Sequence, residues 1–232
     1  MRTLAIVPIK SFDLAKQRLS DSLAIGTRRT LVQAMFSDVL GALRRTEQVE
    51  RIAVVTGDVV AGSLASGDRM VLLHDGVSAG QSAATEIGIR HALDERFERV
   101  LLVPGDTPLL SPPDLDEMLL RCERDRVAVA IVPDRHGTGT NGLLIAPPDA
   151  FTPSFGEGSL ERHLTQARER ELAHRIEALP SLEHDVDTPG DLAALWEVVG
   201  TSRRGAQRTR GALAQLDRSG ARAAIVGAAV QT

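Results

Sequence analysis

Leu4-Ala5-Ile6-Val7-Pro8-Ile9 is a short aliphatic run that opens directly into the polar loop Lys10-Ser11-Phe12-Asp13-Leu14-Ala15-Lys16-Gln17-Arg18-Leu19. The run shows no apolar–polar alternation, so neither face is shaped for water. That is the pattern of a strand covered on both sides in a mostly parallel sheet. Similar runs recur at residues 52–55, 70–73, 100–103 and 127–132. Between them lie segments with helical periodicity. Residues 27–43 place Leu31, Ala34, Met35, Val39 and Leu43 on one stripe, and residues 79–93 and 112–120 read the same way, the last with prolines at its start. Strand and helix therefore alternate through the first two-thirds of the chain, which predicts right-handed βαβ units in a single α/β domain.

The pattern changes after Pro133. A Gly/Thr-rich loop at 136–140 leads to a short strand at 142–146, and a second loop at 147–158 precedes a helix at 159–169. A further strand is expected at 172–176, a turn at 185–189 and a closing helix at 190–199. The Arg/Ala-rich stretch 201–232 reads as a mobile extension outside a domain of residues 1–200, with docking against that domain as the alternative; its segment 221–230 is apolar enough to pack or form a short helix. No internal repeat is present.

Composition narrows the function. The 232 residues suffice for one well-buried α/β domain but not for two ordinary ones. A formal charge of −4 and 3 % aromatic residues, with no tyrosine, disfavour nucleic acid and anionic membranes as partners. A small anion remains suitable, because it needs only a local nest of donors. Cys122 is the single cysteine, so an internal disulfide framework is excluded; it reads as a packing thiol. The first apolar run is too short for a secretory signal, and no later run approaches a membrane span, so a cytoplasmic protein is expected.

Open α/β sheets bind ligands beyond the carboxyl ends of their strands. The loop after the first run brings Lys10, Lys16 and Arg18 to such a position, where they could neutralise phosphate oxygens or remain solvated cations. The patterns GxxxxGK[ST] and GxGxxG are both absent. The run at 100–103 ends in Pro104-Gly105-Asp106-Thr107-Pro108. A carboxylate fixed there suits magnesium, which takes few protein oxygens and lets phosphates complete its shell. An Asx-turn or a helix cap before Pro108 would use the same residue. In Asp185-Val186-Asp187-Thr188-Pro189 the alternation points both aspartates to one side. Asp187 can cap the next helix or join Asp106 on one cation, which would relieve their mutual repulsion. Gly137-Thr138-Gly139-Thr140-Asn141 and Phe155-Gly156-Glu157-Gly158-Ser159 combine glycines with hydroxyls and a helix start, fit either for holding a phosphate or for plain turns with an N-cap serine. The histidines show no zinc spacing, and no GxSxG elbow appears.

With these residues in view, the chain resembles the guanylyltransferases of deazaflavin-coenzyme biosynthesis, relatives of the molybdenum-cofactor guanylyltransferases. The carriers are VPIKSFDLAKQRLS at 7–20, VPGDTPLL at 103–110, GTGTNGLLIAPP at 137–148, FGEGSLERH at 155–163 and DVDTPGDL at 185–192. The resemblance spans about residues 1 to 200. It implies a Rossmann-like nucleotidyltransferase fold with a mostly parallel, mixed central sheet. It implies GTP as donor, Mg2+ as cofactor and phosphoenolpyruvate as acceptor, with release of pyrophosphate. The product, enolpyruvyl-diphospho-guanosine, would pass to a downstream transferase, and a homodimer would be compatible.

Carried over by motif, Asp106 and Asp187 would hold magnesium, and Lys16, Arg18 and Asp106 would be catalytic. Pro8, Lys10, Lys16, Gly80 and Gln81 would contact the nucleotide, and Thr140, Gly156 and Ser159 the acceptor, with Thr138 near enough to exchange roles with Thr140. The family's Gly-Leu-Asn segment before the corresponding helix is replaced here by Ser78-Ala79-Gly80-Gln81-Ser82, which bears on base specificity. Alternative acceptors are 2-phospho-L-lactate and 3-phospho-D-glycerate. A molybdopterin-type guanylyltransferase or a cytidylyltransferase would carry LAxGxSxRxG in the first loop, which this chain lacks. A non-catalytic nucleotide-binding protein is the remaining rival.

Overall fold

The computed structural model describes residues 1–76, 80–201, 205–222, 225 and 227. The described strands are β1 (Thr3–Pro8), β2 (Arg51–Thr56), β3 (Met70–His74), β4 (Arg99–Leu102), β5 (Val129–Pro133), β6 (Thr140–Ile145) and β7 (His174–Ile176). They form one sheet in the order β3-β2-β1-β4-β6-β5-β7. All neighbouring pairs are parallel except those of β6, which runs antiparallel to both β4 and β5. The sheet is thus mixed and largely parallel, as expected.

Four of the five unalternated runs are explained by two cores; the run at 70–73 is instead the edge strand β3, half-exposed, with Leu72 53 % exposed. Ala5, Val7, Val54, Leu101 and Val103 face α1 (Ile25–Leu43), α4 (Pro112–Arg124) and α6 (Pro189–Thr201). Leu4, Ile6, Val55, Val100 and Leu102 pack on the other face, beneath α3 (Gln81–Asp94) and α5 (Ser159–Glu169). Every residue from Thr3 to Val7 is buried because successive side chains enter opposite, equally dry layers.

Several boundaries differ from the sequence reading. Thr140 lies inside β6 rather than in a loop, because it pairs with Pro133 and closes the β5–β6 hairpin. A short helix, α2 (Val59–Leu64), was not anticipated; Asp58 nucleates it by accepting from the N–H groups of Val60 (2.8 Å) and Ala61 (3.0 Å). Ser78 and Ala79, at the expected start of the third helix, lie outside the described residues; α3 begins at Gln81 after Gly80, whose φ of +113° suits glycine.

The expected mobile extension is corrected. Residues Gln207–Arg218 form α7, which packs on α1 and buries Leu213 and Leu216. Asp38 of α1 caps it, accepting from the N–H groups of Arg208 (3.1 Å) and Thr209 (2.8 Å) and from the Thr209 hydroxyl (2.7 Å). The amphipathic spacing of the tail gives it an apolar stripe with a partner to meet. Of the expected apolar segment 221–230, residues 223–224, 226 and 228–230 lie outside the described residues; Ile225 is buried. Among the described residues no helix is long and apolar enough to cross a membrane.

The single tryptophan reports on this docking. Trp196 is 5 % exposed, and its Nε1 donates to Asp217 of α7 at 3.1 Å. Deleting residues 207–232 is expected to red-shift its fluorescence and to lower the unfolding free energy by roughly 3 kcal/mol or more, from the lost burial of two leucines. Urea unfolding followed by tryptophan emission checks both; unchanged emission would contradict the docking.

Candidate active site

The loop after β1 is pinned before it reaches the site. Phe12 is buried edge-on against Phe36 of α1, with ring centroids 5.7 Å apart, and its N–H donates to Asp58 at 3.0 Å. Leu19 is fully buried. Between these anchors Lys16 takes a left-handed backbone (φ 56°, ψ 44°), unusual for a residue with a Cβ, and Arg28 donates to its carbonyl at 3.2 Å. The strained turn drives the Lys16 side chain inward, where it is only 8 % exposed.

There the Lys16 ammonium joins two aspartates from distant parts of the chain. It donates to Asp106, just past β4, and to Asp187, in the loop before α6, at 2.8 Å. Burial alone would lower the Lys16 pKa, but the charges of Asp106 and Asp187 outweigh it and hold it above the ordinary lysine value. Asp106 follows Gly105, where any Cβ would sit 2.9 Å from the Phe36 ring, so glycine lets this loop lie against α1. Among the described residues, the other oxygen of Asp106, Oδ1, is buried without a hydrogen-bond partner. Asp106 therefore makes no Asx-turn or cap of its own.

The alternation in 185–187 holds in space: Val186 is fully buried, while Asp185 and Asp187 both line the cavity. Asp191, rather than Asp187, serves the turn, accepting from the N–H groups of Asp187 (3.1 Å) and Thr188 (2.7 Å). Arg135 donates to it from Nε at 2.8 Å. Burial would raise the Asp191 carboxyl, but the bonds from Arg135 and Thr188 prevail and bring it down to about 2. Asn141 of β6 clamps the same segment, its side-chain amide donating to the carbonyls of Leu182 and Glu183 (both 3.1 Å) and to Asp185 (3.0 Å).

Asp185 bears the cost of this crowding. Burial first, then the charge of Asp106, pushes its carboxyl up to about 6. Because the folded-state pKa exceeds the unfolded one, the folded chain binds the extra proton, and stability falls as pH rises from about 4 through about 6. Asp185→Asn, which still accepts from Asn141, is expected to be more stable than the parent at pH 7.5 by roughly 2 kcal/mol, with the gain shrinking toward pH 4. Urea unfolding at both pH values measures this, and a gain independent of pH would contradict it.

The opposite wall is built from β6 and the loop before α5. Gly156 (φ 109°) and Gly158 (φ 69°) bend this loop, and Gly158, not Ser159, occupies the N-cap of α5. Arg162 gathers the loop's carbonyls, donating to Ser154 (3.1 Å), Phe155 (3.3 Å) and Glu157. Two of the N–H groups anticipated for a phosphate are already used: Ser159 donates to Gly156 at 3.0 Å and Leu160 to Thr138 at 3.1 Å. Among the described residues, those of Gly156, Glu157 and Gly158 have no backbone or side-chain acceptor.

Two cavities meet at the Lys16–Asp106 pair. The larger, about 640 Å³, is lined by Arg18, Thr138, Thr140, Gly156, Ser159 and Asp187 among others. The smaller, about 300 Å³, holds Pro8, Lys10 and Gly80 in its wall. Lys16, Gln81, Pro104 and Asp106 line both. All the residues singled out from the sequence for catalysis, nucleotide, acceptor and metal therefore border one continuous cleft at the carboxyl ends of β1 and β4. Lys10, Arg18 and Gln81 are exposed along it. No local pattern marks Asn141, Asp191, Arg162 and His163 for this cleft, although Asn141 adjoins Thr140 and His163 ends the FGEGSLERH segment. Cys122 is buried in α4, its thiol raised to about 11 by burial and by Glu177, consistent with packing alone.

The profile of the family described as "Guanylyl transferase CofC like" matches residues 3–206. The chain belongs to this family. A family relative from Conexibacter woesei, a phosphoenolpyruvate guanylyltransferase, is 49 % identical over 219 residues, covering 94 % of this chain and 98 % of its own. The 2-phospho-L-lactate guanylyltransferase of Methanothermobacter thermautotrophicus is 33 % identical, covering 84 % of each chain. Among solved structures, a nucleotidyl transferase from Methanothermobacter superposes with a TM-score of 0.61 at 16 % identity, over 87 % of this chain and 99 % of that one. That likeness concerns the fold, which is a single-domain α/β nucleotidyltransferase fold.

Proposed function

We propose that this member of the family transfers GMP from GTP to phosphoenolpyruvate, forming enolpyruvyl-diphospho-guanosine and releasing pyrophosphate. The observation that carries this reading is the Lys16–Asp106–Asp187 cluster at the junction of two cavities. A donor nucleotide in the smaller cavity and an acceptor in the larger would meet there. The relative of 49 % identity supports phosphoenolpyruvate over 2-phospho-L-lactate or 3-phospho-D-glycerate as acceptor.

The chemistry follows from what the cleft presents. An oxygen of the acceptor phosphate, already anionic at neutral pH, attacks the α-phosphorus of GTP as the bond to the β-phosphate oxygen breaks. No general base is needed, so the protein's work is positioning and charge neutralisation. Lys16 has three N–H donors; two serve Asp106 and Asp187, and the third remains for a phosphate oxygen. Arg18 and Lys10, exposed on the two cavities, would neutralise the leaving pyrophosphate and the donor's phosphates. Gly156 and Ser159, beside Thr140, would bound the acceptor. Gln81, bordering both cavities, would contact the nucleotide.

Magnesium is part of this proposal. Among the described residues no group of three or more His, Cys, Asp and Glu side chains forms a ready metal cage. That suits Mg2+, which is held by one or two carboxylates together with substrate phosphates. The Oδ1 of Asp106, which has no hydrogen-bond partner among the described residues, and the raising of the Asp185 carboxyl by burial and then by the charge of Asp106 fit a site for a cation. Asp106 and Asp187 would hold the ion, which when bound would polarise the α-phosphate.

A GTP-dependent step of this kind belongs in the cytoplasm, with the product consumed by a later transferase; a homodimer is compatible with it. The test is product mass and pyrophosphate release with GTP and Mg2+, offering phosphoenolpyruvate, 2-phospho-L-lactate and 3-phospho-D-glycerate separately. A guanylylated enolpyruvyl product is expected. Turnover with phospholactate alone would retain the chemistry and overturn the acceptor; none with any acid would favour a non-catalytic nucleotide-binding role.

A further inference from the structure

His163 of α5 is a fully buried residue that the reaction as described does not use. Its ring lies between Phe151 and Phe155, both edge-on with centroids at 5.5 Å, so its plane is fixed. Both ring nitrogens are engaged. The backbone N–H of Ser154 points at Nε2 from 2.9 Å, and Thr140 Oγ1 lies 3.0 Å from Nδ1.

These two contacts are not symmetric. A backbone N–H can only donate, so Nε2 must be the bare, accepting nitrogen. A neutral imidazole then carries its proton on Nδ1 and donates it to Thr140. Burial, with the charge of Arg162 adding to it, lowers the ring to about 4, so it is neutral at working pH. Thr140 therefore spends a lone pair on His163 and keeps its own proton. Among the described residues the Thr140 hydroxyl has no other partner, and the residue lines the larger cavity. With the opposite tautomer, Thr140 would have to donate to Nδ1 and would offer only lone pairs to an anion.

We propose that His163 is a positioning residue that makes Thr140 an obligate hydrogen-bond donor toward the anionic acceptor, by accepting from Ser154 and donating from Nδ1 to Thr140. This rests on the reading above that Thr140 contacts the acceptor. One histidine thereby couples the loop before α5 to the polarity of a hydroxyl on β6.

Two substitutions separate the two contacts. His163→Asn sets an amide N–H near the Nδ1 position and so retains the donor to Thr140, whereas His163→Gln reaches toward Ser154 and loses that donor. For His163→Gln, KM for phosphoenolpyruvate should rise by roughly tenfold or more, the scale of one hydrogen bond to a charged group, with KM for GTP within about twofold. His163→Asn should stay within roughly threefold of the parent on the same scale. Thr140→Val should raise KM for phosphoenolpyruvate similarly, and adding His163→Gln to it should cost nothing more.

The ¹⁵N shifts of the His163 ring in the unsubstituted protein test the tautomer directly, even if a variant fails to fold. A protonated Nδ1 and bare Nε2 are expected, and the reverse overturns the proposal. If Thr140→Val leaves KM for phosphoenolpyruvate unchanged, the acceptor reading itself fails. If Thr140→Val raises it while His163→Gln does not, or if their effects simply multiply, only the role of His163 fails. His163→Asn as damaging as His163→Gln also counts against it.

Discussion

Asp106→Asn is expected to lower guanylyl transfer by at least about a thousandfold while leaving the protein folded. Asp106 stands where the two cavities meet, and one of its oxygens is buried with no hydrogen-bond partner among the described residues. An amide there would still accept from Lys16 but would bring no charge to a cation, and Asp187 alone is 56 % exposed. Some stability should be lost, because buried Lys16 keeps only half-exposed Asp187 as its ionic partner. The charge of Asp106 is also the second cause, after burial, of the raised Asp185 carboxyl. Removing that charge relieves a repulsion, which offsets part of the loss. Pyrophosphate release and urea unfolding of the same preparation decide the matter. Turnover within tenfold of the parent would show that Asp106 serves only as a counter-ion to Lys16.

Lys16→Met should be nearly as inactive, by a factor of roughly a hundred to a thousand, but should differ in stability. The variant leaves Asp106, Asp185 and Asp187 facing one another without their shared cation. Removing one partner of a buried ion pair costs about 3–5 kcal/mol, and the exposure of Asp187 argues for the lower end. Lys16 now holds the Asp185 carboxyl down, so its loss lets that carboxyl rise further. A raised carboxyl favours the protonated folded state; the deficit should therefore be small near pH 4 and grow as pH passes 6. Added Mg2+ should recover much of it. Unfolding at pH 5 and pH 8, with and without Mg2+, would show this pattern. A pH-independent deficit that ignores Mg2+ would mean that Lys16 contributes packing rather than charge balance.

Much of the site could be read before the fold was known. Strand ends in an open α/β sheet face the ligand, so Lys16 and Arg18 after β1 and Asp106 after β4 were conspicuous by position. The spacing of Asp185 and Asp187 was readable because strand alternation is local. What escaped is the layer behind these residues. Asn141, His163 and Asp191 act through partners 44, 23 and 56 residues away, and no local pattern records such pairings. The tail escaped for a related reason. Its amphipathic stripe was present in the sequence, but only the exposed flank of α1, with Asp38 set to cap α7, decided that it would dock.

By itself the sequence determined that this is a single α/β domain whose central strands are buried on both faces, and which loops lie at their carboxyl ends. Hydrophobic period and strand-end position are short-range properties of the chain, so they survive without coordinates. The tertiary structure alone decided that β6 runs antiparallel between β4 and β5, setting Thr140 and Asn141 opposite the Asp185–Asp187 turn. It also decided that one buried lysine would bridge two aspartates more than 80 residues apart. Strand direction and charge pairing depend on which distant segments share a low-dielectric space, and that is known only once the chain has closed around it.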